Sequence, residues 1–401
     1  MAILPRTARF AARTSRMRVS TIREMLKVTQ QPDVISFGGG LPAPELFPTE
    51  SIADCTREVM REVGALALQY GVTDGIPELR EWVADRLTHI VGARFDASQI
   101  LIVNGSQQGL DLIAKIFVDP GDHVVLENPS YLGAIQAFDA YQARYLVAET
   151  DEHGIIPESL EHVLAHAQPL PKFVYLVPNF QNPTGRTLAA ERRERIVRIC
   201  EHFGVPLVED DPYGELRFSG EPLRPLSSFK TTGTVIYSGT GSKIMAPGMR
   251  IAWLATADEE VHEKLVLAKQ GADLQSGTFA QYIFTRFVSQ HELFARHVAN
   301  IARVYGERRS VMYDALREFM PDNVSFNRPE GGMFLWAQAR GIDTTELLAV
   351  AGEMKVAFVP GVSFYPQRDV IDGMRLNFSH SSPEKIRIGI ERLARAVRSM
   401  R

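Results

Sequence analysis

TVIYSGTGSKIMAPGMRIAWLA, residues 234–255, sets two short apolar runs, TVIYS (234–238) and RIAWLA (250–255), around a glycine-rich turn that carries Lys243 and, seven positions on, Arg250. A glycine-rich run ending in lysine first evokes the phosphate loop G-x-x-x-x-G-K-[ST] of nucleotide-binding proteins. The pattern fails, because Ser242 precedes the lysine where glycine is required and Ile244 stands where the metal-binding hydroxyl belongs. Lys243 is open to another role, and the runs on either side of it have the length and β-branched content of buried strands.

The same unit recurs upstream. ILIV (100–103), HVVLE (123–127), ARYLVA (143–148), KFVYLV (172–177) and VPLVE (205–209) alternate with segments of helical period such as SQQGLDLIAKIF and AAERRERIVRICEHF. Strands that alternate with helices predict an α/β fold: a three-layer αβα large domain around a mostly parallel sheet. Residues 258–320 read as helices, one long enough to join two domains. VSFNRP, GGMFLWAQ, VAFVPG and MRLNFS then mix with helices up to PEKIRIGIERLARAVRSM, the pattern of a smaller α+β domain. The proline-rich LPAPELFP (41–48) marks a domain crossing. The expected division is an N-terminal arm with part of the small domain (1–45), a large domain (46–290) and a small C-terminal domain (291–401).

Composition narrows the function. With 401 residues, 45% hydrophobic and 23% charged, the chain has the make-up of a globular protein with a sizeable core. The net charge of -4 and the dispersed basic residues argue against a nucleic-acid partner. No apolar run approaches the roughly 20 residues needed to span a bilayer, so no membrane is expected. Two distant cysteines, Cys55 and Cys200, give neither a disulfide framework nor a metal ribbon, which fits a cytoplasmic setting. The first 22 residues carry five arginines (6, 9, 13, 16 and 18) with no acid before Glu24. That composition is shared by mitochondrial transit peptides and by amphipathic arms of mature proteins, and the arm reading is preferred.

In an open parallel sheet, ligands sit beyond the carboxyl ends of the strands. Here those positions read NGSQQG, NPSY, PNFQNPTG, DDPYG and GTGSK. Gly105, Ser106 and Gln107 open a helix after a strand, where free backbone N–H groups favour a phosphate. Asp210 suits a buried cationic ring nitrogen, and Tyr213 is close enough in sequence to meet the same ligand. Taken one at a time, each of these tracts also reads as an ordinary turn or helix cap.

Taken together, the ordered set NGSQQG, NPSY, QNPTG, DDPYG, SK-x-x-x-PG-x-R and MRLNFS resembles the pyridoxal-phosphate aminotransferases of fold type I, the aspartate aminotransferase superfamily. The likeness runs over nearly the whole chain. STIREMLKVTQQPDVISFGGGLPAPELFP and ALQYGVTDGIPELR further resemble the 2-aminoadipate and kynurenine aminotransferase subgroup.

The resemblance implies a site residue by residue. Lys243 is similar to the lysine that holds pyridoxal 5'-phosphate covalently, Asp210 to the acid on the ring nitrogen, and Asn182 and Tyr213 to the partners of the ring oxygen. Tyr131 resembles the aromatic stacked on the ring. The cofactor phosphate would fall to Gly105, Ser106, Gln107, Thr240, Ser242 and Arg250, with Tyr70 reaching in from the second subunit of a homodimer. Arg375 matches the arginine that grips the substrate α-carboxylate, beside Gly39. Arg23 is the candidate for an acidic side chain such as that of 2-aminoadipate or glutamate. The GTGSK wording departs from the S-F-S-K common in the subgroup, which leaves the shape of that loop open. Leu41, Tyr70 and Gln275 are further candidates for the pocket wall. The implied activity is transfer of an amino group from an amino acid to a 2-oxo acid, with aromatic or branched-chain donors, or a lyase or decarboxylase on the same fold, as alternatives.

Two histidine pairs are set aside. His162 and His166 have metal-pair spacing but no third ligand, and HELFARH (291–297) is not H-E-x-x-H, so no metal is expected. A regulator of this fold would need a DNA-binding segment, for which the roughly 30 residues ahead of ISFGGG are too few by ordinary domain sizes.

Overall fold

The computed structural model describes residues 10–17 and 33–400. Seven strands form its large sheet: β1 (Ile100–Asn104), β2 (His123–Glu127), β3 (Arg144–Ala148), β4 (Val174–Leu176), β5 (Leu207–Asp210), β6 (Val235–Thr240) and β7 (Ile251–Ala255). Their order is β1-β7-β6-β5-β4-β2-β3, with β7 antiparallel to both neighbours and every other pair parallel. All seven fall on the apolar runs picked out in the sequence. Ile100, Leu101, Ile102 and Val103 are fully buried, as are Val124, Val125 and Leu126, because helices cover both faces of the sheet. A parallel strand buried on both sides has no polar face to alternate with.

The covering helices start where the sequence ends each strand. Gly105, at φ +76, turns the chain from β1 into α1 (Ser106–Phe117), a conformation that side-chain-bearing residues rarely adopt. Leu110, Leu112 and Ile113 bury the inner face of α1. After β4, a loop leads to α2 (Ala190–Phe203), closed by Gly204 at φ +64.

A 29-residue helix, α3 (His291–Phe319), about 43 Å long at 1.5 Å per residue, runs from the large sheet to the smaller one. Ile301, Tyr305, Arg308, Met312 and Ala315 recur every three to four residues on its buried face. The small sheet is fully antiparallel, in the order β8 (Val324–Phe326), β9 (Phe334–Ala339), β11 (Gly373–Asn377), β10 (Val359–Pro360). Helix α4 (Pro383–Ser399) packs against α3, with Pro383 in its first turn and Ser382 accepting the Lys385 N–H.

The segment after Asp33 belongs to this smaller layer. Ile35 and Ser36 pair in parallel with Val356 and Ala357, and the Asn377 N–H donates to the Phe37 carbonyl at 2.8 Å. Gly38 to Leu41 are thereby carried over the end of the large sheet. Tyr305 and Arg308 of α3 fix the next residues: the Ala43 N–H donates to the Tyr305 hydroxyl, and Arg308 pairs with Glu45. Among the described residues, no helix is long and apolar enough to cross a membrane.

Candidate active site

One cleft of about 360 Å³ opens at the carboxyl ends of the parallel strands, roofed by the Gly39–Leu41 segment and the small sheet. Strand direction explains what gathers there. Asp210 is the last residue of β5, and Lys243 lies three residues past the end of β6. Because β7 runs antiparallel, its beginning lies at the same edge, so Arg250 meets Lys243 despite standing at the opposite end of a strand.

At one end the cleft is built for an anion. Ser106 and Gln107 begin α1, whose first N–H groups have no partner within the helix. The Ser242 N–H donates to the Thr240 hydroxyl at 3.1 Å, and that hydroxyl bonds the Ser242 hydroxyl at 3.1 Å, so both oxygens sit on one turn. Arg250, in the left-handed region at φ 55, donates one N–H to the Asn104 carbonyl at 3.1 Å. A side chain on Gly105 would run into that guanidinium, so the glycine lets the arginine lie across the helix start.

In the middle stand Asp210, Lys243 and three polar aromatic or amide groups. Asp210 is 2% exposed and accepts from the Tyr175 hydroxyl at 2.7 Å and the Ser238 hydroxyl at 3.0 Å. Burial pushes its carboxyl up to about 6, against the pull of those two hydrogen bonds. Lys243 Nζ donates to the Gly40 carbonyl at 3.1 Å. Burial, then the charges of Arg375 and Arg250, bring its ammonium down to about 8. The Asn182 amide donates to the Tyr213 hydroxyl at 3.4 Å, and burial raises the phenols of Tyr213 and Tyr131 above their ordinary range.

At the far end is Arg375, 1% exposed, on β11. It donates to Asn182 Oδ1 at 2.8 Å and to the Gly38 carbonyl at 2.7 Å, and its guanidinium lies 4.3 Å from the Phe334 ring centre. Its Nε has no partner among the described residues, and burial lowers the group to about 10. Among the described residues, no carboxylate forms an ion pair with Lys243, Arg250 or Arg375, which leaves three cations facing one acid across the cleft. A buried guanidinium without a counter-ion is costly, so the arrangement is complete only with anionic ligands.

Of the residues singled out in the sequence, Gly39, Leu41, Ser106, Gln107, Tyr131, Asn182, Asp210, Tyr213, Thr240, Ser242, Lys243, Arg250 and Arg375 line the cleft, and Gly105 stands directly behind Arg250. Tyr70 does not line it and is 78% exposed; Gln275 also lies outside, donating to the Thr278 hydroxyl at 3.0 Å. Arg23 falls outside the described residues. Gly40, Val177, Pro212, Pro247 and Phe334 complete the wall. Phe334 follows GGM in a strand and carries no local signal of its role. Gly40 was within reach, as the third glycine of the FGGG run.

The profile of the family "Aminotransferase class I and II" matches residues 33–393. Aromatic-amino-acid aminotransferase 1 of Thermococcus litoralis is 44% identical, over 97% of this chain and 94% of its own. The 2-aminoadipate transaminase of Thermus thermophilus is 40% identical, over 98% of this chain and 97% of its own. Among solved structures, the kynurenine aminotransferase of Pyrococcus horikoshii in complex with PMP aligns with a TM-score of 0.94 at 41% identity, covering 100% of this chain and 99% of that one.

Proposed function

The chain belongs to the class I and II aminotransferases, pyridoxal-phosphate enzymes of fold type I, and from that premise we propose that it takes amino groups from a broad set of L-amino acids, 2-aminoadipate, glutamate and aromatic amino acids among them, and passes them to 2-oxoglutarate. The observation that carries the reading is Arg375, a buried guanidinium with no carboxylate partner among the described residues, on the same cleft as a lysine that likewise has no acid partner among them. That pair awaits a substrate with a carboxylate next to an amine. The breadth is supported by relatives named for aromatic and for 2-aminoadipate substrates.

The residues fit the cofactor. A dianionic phosphate matches the start of α1 with Thr240, Ser242 and Arg250, and a protonated ring nitrogen matches Asp210. Bound pyridoxal phosphate supplies an aldehyde that condenses with amines and a ring that accepts the electron pair released at the substrate carbon. Lys243 would hold pyridoxal phosphate through its Nζ and, with substrate bound, that Nζ would carry the proton that leaves the substrate α-carbon. Asp210 would keep the ring-nitrogen proton in place. Asn182 and Tyr213 would hydrogen-bond the ring oxygen, and Tyr131 would offer its ring as a stacking surface. Arg375 fixes the α-carboxylate by two parallel hydrogen bonds, as only a planar fork allows, beside the Gly39 backbone.

The wall offers no further cation among the described residues, so we assign a side-chain carboxylate to Arg23. We also propose a cytoplasmic homodimer in which Tyr70 meets the partner's cofactor phosphate, since it lies outside its own cleft, exposed together with Leu66, Leu68 and Val72. The chain divides, in this reading, into an arm (1–45), a cofactor-holding unit (46–290) and a smaller unit (291–401). A panel of amino donors against 2-oxoglutarate, with Arg23→Ala beside wild type, tests the assignment. Loss confined to 2-aminoadipate and glutamate is expected; equal loss for aromatic donors, or none, contradicts it.

A further inference from the structure

We infer that Tyr175 and Ser238 are positioning residues that keep Asp210 ionised and aimed at the cofactor ring nitrogen, an inference that rests on the transaminase reading above. The sheet itself builds the arrangement. Asp210 ends β5, and its neighbours are β4 and β6. Ser238 is the cross-strand partner of Asp210, so the two side chains share a face. Tyr175 is paired with Val208, two residues before Asp210 and therefore on that face too. A diagonal neighbour is beyond the reach of a short side chain but within that of a tyrosine.

The two hydroxyls divide the carboxylate between them. The Tyr175 hydroxyl donates to Oδ2 at 2.7 Å, and the Ser238 hydroxyl donates to Oδ1 at 3.0 Å. Neither hydroxyl has another partner among the described residues, and Val208 between them offers no competing group. The Tyr175 ring is fully buried and set edge-on to Phe138 at 5.7 Å, which fixes its reach. The next acid, Asp211, points to the other face, where the Asn179 amide, the Gly214 N–H and the Tyr237 hydroxyl hold it. The pair of adjacent acids is thus split: Asp211 braces the turn, and Asp210 alone faces the cleft.

The consequence concerns one proton. Between a buried carboxyl and a pyridine nitrogen, that proton can sit on either partner. Two hydrogen bonds to the carboxylate favour the form with the acid ionised and the nitrogen protonated, because a neutral carboxyl would accept them less strongly. Removing one hydroxyl lets the proton move toward the acid, and the ring takes up electrons less readily.

The test uses the intact protein loaded with pyridoxal phosphate labelled with 15N in the ring. In wild type the nitrogen resonates as a protonated ring. In Tyr175→Phe, and separately in Ser238→Ala, its signal moves toward that of Asp210→Asn, which marks a ring without its charge partner. At the same time kcat falls about tenfold or more, with KM little changed, the size expected for one hydrogen bond to a charged group. Either variant decides the matter alone, since each acts on a different oxygen. A folded, loaded variant that keeps the wild-type ring signal overturns this inference and leaves the transaminase reading intact. Wild-type protein that shows no bound ring signal overturns the transaminase reading itself.

Discussion

Burial shifts Asp210 and Lys243 toward their neutral forms from opposite sides, and the two shifts have separate consequences. For Asp210 the folded-state value, about 6, stands above the ordinary 3.8. An acid shifted this way costs the fold nothing while it is protonated in both states, below pH about 4. The cost grows as pH rises through the interval and is full above about 6, on the order of 3 kcal/mol. Asp210→Asn therefore melts a few degrees higher than wild type as apo protein at pH 7.5, with the gap closing as pH falls to 4; its transaminase rate drops about a hundredfold or more. Equal melting curves at pH 7.5 would contradict the assigned cost. For Lys243, with its ammonium near 8, capture of pyridoxal phosphate by the apo protein speeds up with pH and levels off above about 8. Because the Arg375 charge helps to depress that value, Arg375→Met shifts the profile to higher pH, which stopped-flow absorbance across a pH series would show. Of this chemistry the residue types were legible in the sequence, and the ordered resemblance implied their roles. It carried no sign of Tyr175 or Ser238, whose part depends on cross-strand register rather than on any local pattern.

At the level of elements, the strands were legible because parallel strands buried on both faces are continuous apolar runs bounded by turn residues. The helices after them were equally plain, Ser106–Phe117 coinciding with its predicted span. Strand order was not legible, nor was the reversal of β7, since both depend on contacts between runs far apart in sequence. That reversal is what brings Arg250 back to the end of the sheet where Lys243 lies. The turn between β1 and α1 is the partner of that arginine. Gly105→Ala would strain a backbone at φ +76 and displace the Arg250 guanidinium. We expect pyridoxal-phosphate affinity to weaken about tenfold or more, read by fluorescence titration of the apo protein, while far-ultraviolet dichroism stays as in wild type. Unchanged affinity would show that the phosphate is held without Arg250.

For the whole molecule, the small sheet and the Gly38–Leu41 segment close the cleft from above, so the cleft draws on both layers of the chain. Tyr70 extends that dependence to a second protomer in the proposed dimer. If Lys243 and Tyr70 serve one site from two chains, a mixture of Lys243→Ala and Tyr70→Phe proteins, unfolded and refolded together, forms mixed dimers with one intact site. Activity then rises to about a quarter of wild type, above either variant alone. No rise would place Tyr70 outside the site. A single half-reaction tests transamination through Lys243. Protein loaded with pyridoxal phosphate is mixed with L-glutamate and no acceptor. One 2-oxoglutarate is expected per site, with the cofactor recovered as pyridoxamine phosphate and none of this in Lys243→Ala. Carbon dioxide and a decarboxylated amine, or an unaltered cofactor across the donor panel, would contradict it.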